Sequence, residues 1–304
     1  MKNFILKKKL IILYEYLYEK RRILRLRTRY RLKVMSPDKT INYILKNKCS
    51  IARFGDGEFD LIFHERDLKF QNISDDISNR LEDVLNNKNK SLLLCVPKCF
   101  VTVKECNEHS KSFWIEWGKN GHHERIINLL KNTCGSNYIF GDAQITRPYI
   151  DWKTDKRAKR LFPKLKHLWD NRDVIIVEGD QTRLGVGNDL YDNAKSIKRI
   201  LTPAVNSFES YDKIKSTILN CYKGELLLLA IGPTATILAS DFANLGMQAL
   251  DIGNIDIEYE WYLRGVKERV AIEGKFTNEA KDGRTYTECN DEKYLSQIIA
   301  RVDC

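Results

Sequence analysis

The chain has 304 residues, of which 43% are hydrophobic and 30% charged. That balance allows a packed α/β-sized core without disulfides and excludes a disordered chain. No apolar run reaches the roughly 18 residues that a bilayer-spanning helix needs, and the net charge of +10 belongs to one end, because residues 1–33 hold 12 Lys or Arg and two Glu while the remainder holds 39 basic and 39 acidic residues.

Residues 1–35 read as a basic amphipathic helical extension. No Gly or Pro interrupts residues 2–33, and Phe4, Ile5, Ile11, Ile12, Leu17, Tyr18, Leu24 and Leu26 are interspersed with Lys and Arg. Two readings stay open for it. One is an anionic membrane surface, to which each basic residue is drawn by about 1 kcal/mol. The other is packing on its own domain or on a second copy in a homodimer. The neutral body argues against nucleic acid, whose binding face spreads over a fold. The apolar stretch Leu10–Leu13 is too short for a secretion signal and is followed by Glu15 and Glu19. A cytoplasmic protein, peripheral at the inner membrane face, is the expectation.

Ser36-Pro37-Asp38 then opens a helix, with Ser as N-cap and Pro in the first turn, and Asn47–Ser50 closes it. Strands are predicted at Ser50–Phe54, Ser91–Val96, Tyr138–Phe140, Asp173–Val177, Ile197–Leu201, Leu226–Ile231 and Ala249–Ile252. Helices are predicted at 75–87, 108–118, 122–132, 156–169, 209–221 and 234–245. Continuous apolar strands such as Leu226–Ala230 imply burial on both faces. Residues 36–304 are therefore expected to form one α/β domain, a Rossmann-like, mostly parallel sheet flanked by helices. The stretch after Val266 is polar and irregular, and no element is predicted there. The eight cysteines include no CxxC pair and read as free thiols. Cys95, Cys99, Cys106 and His109 match no zinc spacing.

In an open parallel sheet, ligands bind beyond the carboxyl ends of the strands, and several of those ends are rich in Gly and acids. After the first strand comes Arg53-Phe54-Gly55-Asp56-Gly57-Glu58. Glycine admits a phosphate close to the backbone, and two nearby carboxylates suit Mg²⁺ or Mn²⁺. A plain turn with Asp56 as a helix cap competes with that reading. Phe140-Gly141-Asp142 ends another strand, with Arg147 following. The run from Glu178 to Asp189 contains Asp180, Arg183, Gly185, Gly187, Asn188 and Asp189. It is neither a Walker loop nor a dinucleotide GxGxxG, since Leu190 takes the third glycine position, and Arg183 is a candidate diphosphate partner. Gly232-Pro233-Thr234-Ala235-Thr236 opens a helix straight after a buried strand, where free N–H groups bind anions. Asp251-Ile252-Gly253-Asn254 leads into Asp256, Glu258 and Glu260.

Together the runs at 53–58, 185–189, 232–235 and 251–261 resemble the GT-D-fold glycosyltransferases, long known only as a bacterial domain of unknown function. The resemblance covers about residues 37–265. It implies transfer from a UDP-sugar, commonly UDP-glucose, with a divalent metal such as Mn²⁺, in assembly of bacterial surface polysaccharide or glycoprotein. The family's Asp-x-Glu motif falls on Asp56 and Glu58, the expected metal residues. The chain departs from the pattern at Asn254, where many relatives carry His, so Asn254 would offer a weaker oxygen ligand. The nucleotide-sugar is expected at Arg53, Gly55, Asp142, Arg183, Gly185, Gly187, Asn188, Asp189, Gly232, Thr234 and Ala235. Whether the reaction inverts or retains the anomeric configuration stays open; if it inverts, Glu258 and Asp256, with Asp180 behind them, are the candidates for the base that deprotonates an acceptor glycan, lipid-linked saccharide or glycoprotein. The rival expectations are a metal-dependent phosphohydrolase and a catalytically weakened nucleotide-sugar-binding module.

Overall fold

The structure, a computed structural model, describes residues 2–25, 32–119, 121–283 and 288–303. Helix α1 is Lys2–Arg25, and strand β1 is Lys33–Val34. The predicted basic helix therefore stops short of Lys33, and its stretch 26–31 lies outside the described residues. Helix α2, Pro37–Asn47, begins as its sequence requires, with the Ser36 hydroxyl accepting from Lys39 N. Then follow β2 (Ser50–Arg53), α3 (Asp56–Ile62), α4 (Asp75–Asn86), β3 (Leu92–Val96), α5 (Glu108–Trp117), α6 (His122–Cys134) and β4 (Ile139–Asp142). The second half contains α7 (Lys156–Lys166), β5 (Asp173–Gly179), β6 (Ser196–Thr202), α8 (Tyr211–Cys221), β7 (Leu226–Ala230), α9 (Pro233–Asn244), β8 (Ala249–Asp251) and α10 (Ile255–Arg264). The short α11 (Glu292–Gln297) and β9 (Ile298–Arg301) complete the described residues.

The nine strands form one sheet in the order β1-β4-β3-β2-β8-β7-β5-β6-β9, and their pairings are parallel. Side chains alternate between its faces because successive Cβ atoms point to opposite sides. Leu92, Leu94 and Val96 of β3 join Leu227 and Leu229 of β7 beneath α4, α6, α8 and α9. Leu93, Cys95, Leu226 and Leu228 join α2, α7 and α10 on the other face. Burial on both faces is what the continuous apolar strands demanded. Five elements were not read from the sequence as such: α3, α10, α11, β1 and β9.

The chain runs outward from β2 through β3 to β4, and β8 flanks β2 on the other side. The sheet order thus reverses between β2 and β8, and a crevice at that point is where open α/β sheets bind ligands. Helix α1 meets the body through Tyr18, whose hydroxyl lies 3.4 Å from Gly118 O at the end of α5.

Candidate active site

Beyond the carboxyl ends of the strands lies one cleft of about 500 Å³, centred on the β2–β8 reversal. Its floor is a tight polar knot. Arg53 closes β2 and donates to Asp251 O, to Asp251 Oδ1 at 2.7 Å, and to Thr146 Oγ1 at 2.8 Å. Asp251 Oδ1 also accepts from Gly253 N, and its Oδ2 accepts from Arg53 N and Thr236 Oγ1. With both oxygens occupied twice, Asp251 organises the floor and has no lone pair left for a ligand. Gly253 is required here, because its φ is +50° and a Cβ would lie 2.2 Å from the Arg53 guanidinium.

Asp56, Glu58 and Asn254 stand on this floor and line the cleft. Asp56 opens α3, and its side chain is 38% exposed, 3.5 Å from Arg66. The enclosing walls push its carboxyl above the usual range, while Arg147 pulls it down. Glu58 Oε2 accepts from Gly55 N at 2.7 Å and so caps α3. Desolvation pushes Glu58 up to about 7, against the pull of that N–H. Asn254 Oδ1 is buried with no hydrogen-bond partner among the described residues, which costs about 1–3 kcal/mol unless something satisfies it.

Among the described residues, no group of three or more His, Cys, Asp or Glu side chains converges to hold a metal. Cys95, Cys99, Cys106 and His109 form no such group. A hard cation that accompanies a diphosphate needs less, since one or two carboxylates suffice when phosphate oxygens and water complete its shell. Asp56, Glu58 and the orphaned amide oxygen of Asn254 are hard oxygen donors of that kind, and they fit Mg²⁺ or Mn²⁺.

Two wings extend from this centre. Toward β7, β5 and β6 the lining is small or apolar: Gly179, Thr182, Ala204, Gly232 and the ring of Phe70. Gly232 caps α9 with φ +60°, and a Cβ there would meet Phe70 at 2.9 Å. Toward β3 and β4 the lining is charged and aromatic. Arg147 grips Glu279 with two bonds, at 2.8 and 2.6 Å. Asp151 accepts from Ser110 Oγ at 2.9 Å and Arg269 at 2.8 Å. His109, Phe113 and Trp114 of α5 complete this side.

Of the residues singled out from the sequence, Arg53, Gly55, Asp56, Glu58, Gly232 and Asn254 meet in the cleft. Arg147, noted after the Gly141-Asp142 run, also lines it, while the other expected nucleotide-sugar and base residues do not. Asp142 is buried, accepting from Lys98 N and Gln144 N and pairing with Arg157 at 3.1 Å. Thr234 and Ala235 are buried inside α9. The glycine-rich loop braces α10 instead of reaching a ligand. Gly185 N and Asn188 Nδ2 both donate to Asp256 Oδ1, and Asp189 accepts from Tyr259 and Lys166. Arg183 donates to Gly274 O, and with Gly187 it lines a separate hollow. Asp256 is buried against Lys275 at 2.6 Å, so it offers no free base. Asp180 is exposed just past β5. Glu258 lies immediately behind the cleft wall: its Oε2 accepts from Tyr149 N and Ile150 N, and its Oε1 is 3.8 Å from Arg147.

The sequence reading missed Arg66 and Phe70, the α5 side chains, and Arg269, Phe276, Asn278 and Glu279. All sit on loops or on helices far from a strand end. For the last four, the one signal was the polar, non-periodic character of the stretch after Val266, which supplies part of the cleft lining.

Comparison with known proteins agrees with this architecture. The family model described as glycosyltransferase GT-D fold matches residues 51–280. The chain is 34% identical over 272 residues to glycosyltransferase GlyD of Streptococcus pneumoniae serotype 4 (strain ATCC BAA-334 / TIGR4), covering 89% of this chain and 33% of that protein. It is 35% identical over 272 residues to the probable glycosyl transferase Gly of Streptococcus gordonii, covering 89% of this chain and 39% of that one. The chain therefore spans only a third to two fifths of these relatives. A solved structure described as domain of unknown function 1792 with a distinct glycosyltransferase fold superposes with a TM-score of 0.83 at 34% identity, covering 95% of this chain and all of that one. A new glycosyltransferase of the same domain from Streptococcus sanguinis gives 0.81 at 34% identity, covering 90% of this chain and all of that one. A cleft at the sheet's reversal point and a match over most of the chain lead to one assignment: this chain belongs to the GT-D-fold glycosyltransferase family.

Proposed function

We propose that this protein transfers a hexosyl group, glucose being the expected one, from a UDP-sugar to a hydroxyl of a glycan, lipid-linked saccharide or glycoprotein in surface-glycan assembly. The observation that carries the reading is the meeting of Asp56, Glu58 and the unpartnered Asn254 Oδ1 with the N-terminus of α9 in one cleft. Asp56 and Asn254, with Glu58, would hold Mn²⁺ or Mg²⁺ against the diphosphate. The cation, when bound, offsets negative charge on the departing UDP. The start of α9 at Gly232 lends its dipole to the same end.

In transfer, the bond from the anomeric carbon to the β-phosphate oxygen breaks, and its electron pair leaves with UDP. A bond forms from that carbon to the acceptor oxygen, whose proton passes to a carboxylate. None of the bases named from the sequence lines the cleft, and Glu258 is our choice because its Oε1 stands 3.8 Å from the lining residue Arg147. Its Oε1 is buried without a hydrogen-bond partner, and desolvation pushes it up to about 7, near the value a general base needs.

The double variant Asp56→Ala, Glu58→Ala tests the cation role, assayed for UDP release and transfer with UDP-sugars and Mn²⁺. Activity should fall by about two orders of magnitude or more, with the fold intact by circular dichroism. Undiminished turnover would remove the metal role. Phosphate release from a nucleotide with no sugar present would favour the hydrolase instead.

A further inference from the structure

We propose that the wing of the cleft built on α5 is the acceptor-saccharide site, with Phe113 as the ring on which a sugar stacks; this rests on the glycosyl-transfer reading above. Two substrates must meet at the Asp56–Asn254 centre, and the wings on either side differ in chemistry. The β7–β5–β6 wing offers glycine backbone, a helix N-terminus and Phe70. Those features suit an anion that must approach closely and a flat base beside it.

The α5 wing suits neither. Asn107 already caps α5 by accepting from Ser110 N, and Glu108 places an acid in its first turn. Its two arginines are matched by Glu279 and Asp151, so a diphosphate entering there would confront both carboxylates. A neutral, hydroxyl-rich ring fits that surface. Its hydroxyls can bond to Asp151, Glu279 and Gln144, and its C–H face can lie on an aromatic ring. Phe113 is 38% exposed and is held edge-on to Trp114, with ring centres 5.2 Å apart. The platform is thus both open and fixed. Trp114 itself is buried and serves as the support. The far end of the same helix receives Tyr18 of α1 at Gly118 O, which puts the basic extension and the acceptor on one flank.

The test compares Phe113→Ala, Phe113→Trp and Phe70→Ala in the full chain. UDP affinity is read by calorimetry with Mn²⁺ present. Saccharide retention is read on an array of printed glucose-, galactose- and N-acetylglucosamine-terminated oligosaccharides, with UDP and Mn²⁺. Phe70→Ala should weaken UDP about tenfold, the worth of a lost base–aromatic stack. Phe113→Ala should leave UDP affinity within about twofold but cut retention about fivefold or more, and Phe113→Trp should restore it. Equal loss of UDP affinity in both alanine variants overturns the proposal. So does retention indifferent to Phe113, or a wild-type protein that retains no saccharide. Absence of UDP binding in the wild type would instead defeat the transferase reading beneath it. Offering a retained saccharide on vesicle lipid or on a carrier protein then separates a lipid-linked from a protein-linked source.

Discussion

Gly253 leaves no room for a side chain on the floor of the cleft. Its φ is +50°, and a methyl group would sit 2.2 Å from the Arg53 guanidinium. Gly253→Ala should therefore cost about 1–3 kcal/mol through backbone strain and displacement of Arg53, read as a lower urea midpoint. An unchanged midpoint would mean that Arg53 moves freely. The acids nearby make a second prediction. Glu58 has a folded value of about 7 against an ordinary 4.5, so the fold binds more protons than the unfolded chain between those limits. Its contribution to stability is accordingly present below pH 4.5 and lost as pH rises through about 7. A cation requires the ionised form, so the rise in melting temperature on adding Mn²⁺ should be larger at about pH 8 than at about pH 5.5. Equal shifts at both values would count against ligation by Glu58 and Asp56. Arg53, Asp56, Glu58 and Gly232 could be placed at the cleft from sequence because each follows a buried strand, and ligands bind beyond the carboxyl ends of such strands. The same signature misled at Gly185 and Asn188. Their turn geometry was foreseeable, but the partner they bond, Asp256 on α10, is 71 residues from Gly185.

Helix α10 and residues 266–283 behave as one element pair. Lys275 is buried between Asp256 at 2.6 Å and Glu260 at 3.2 Å, and Trp261 Nε1 donates to Val270 O at 2.9 Å. Phe276 N reaches Gln181 O at 2.9 Å. This strap carries Arg269, Phe276 and Glu279 over the cleft, so the lysine fixes the roof of the site from behind. Lys275→Met would strand a buried carboxylate and should cost about 3–5 kcal/mol. Limited proteolysis should then cut first within the strap, and a cleavage pattern identical to wild type would show that the strap is held elsewhere. None of this was visible in the sequence. The strap has no periodicity, and α3 carries Gly57 inside a helix of seven residues, which weakens helix propensity. The long periodic helices α2, α4 and α6 were read close to their observed limits because their apolar stripes face the sheet.

At the scale of the molecule, the sheet's topology follows from its composition. Strands apolar on both faces need helices on both faces, and parallel pairing supplies them through crossovers. The order of the strands was not legible, because Ile51 of β2 pairs with Leu250 of β8 across most of the chain, and no local pattern encodes that. Helix α1 stands apart from this economy. Among its described residues Leu6, Leu10, Leu13 and Leu17 are each at least half exposed, on a helix studded with lysine. No helix among the described residues is long and apolar enough to cross a membrane. We propose that α1 lies on an anionic membrane face, which would hold the protein at the inner surface of the cell membrane. Truncation should stop before Lys33, since Lys33 and Val34 pair with β4. Removing residues 1–31 should abolish co-sedimentation with phosphatidylserine vesicles at low salt. Retained sedimentation would end that role, and a fall from dimer to monomer would assign α1 to a second copy. The cysteines lend themselves to another use. Cys49, Cys95, Cys99 and Cys106 are buried, and burial pushes the thiols of Cys49 and Cys95 well up, so alkylating reagents reach them only when the β2–β3 half or the approach to α5 comes open. Their labelling rate is a built-in stopwatch for how often that half of the protein breathes, and a bound nucleotide that slows it would be detected without any probe being engineered.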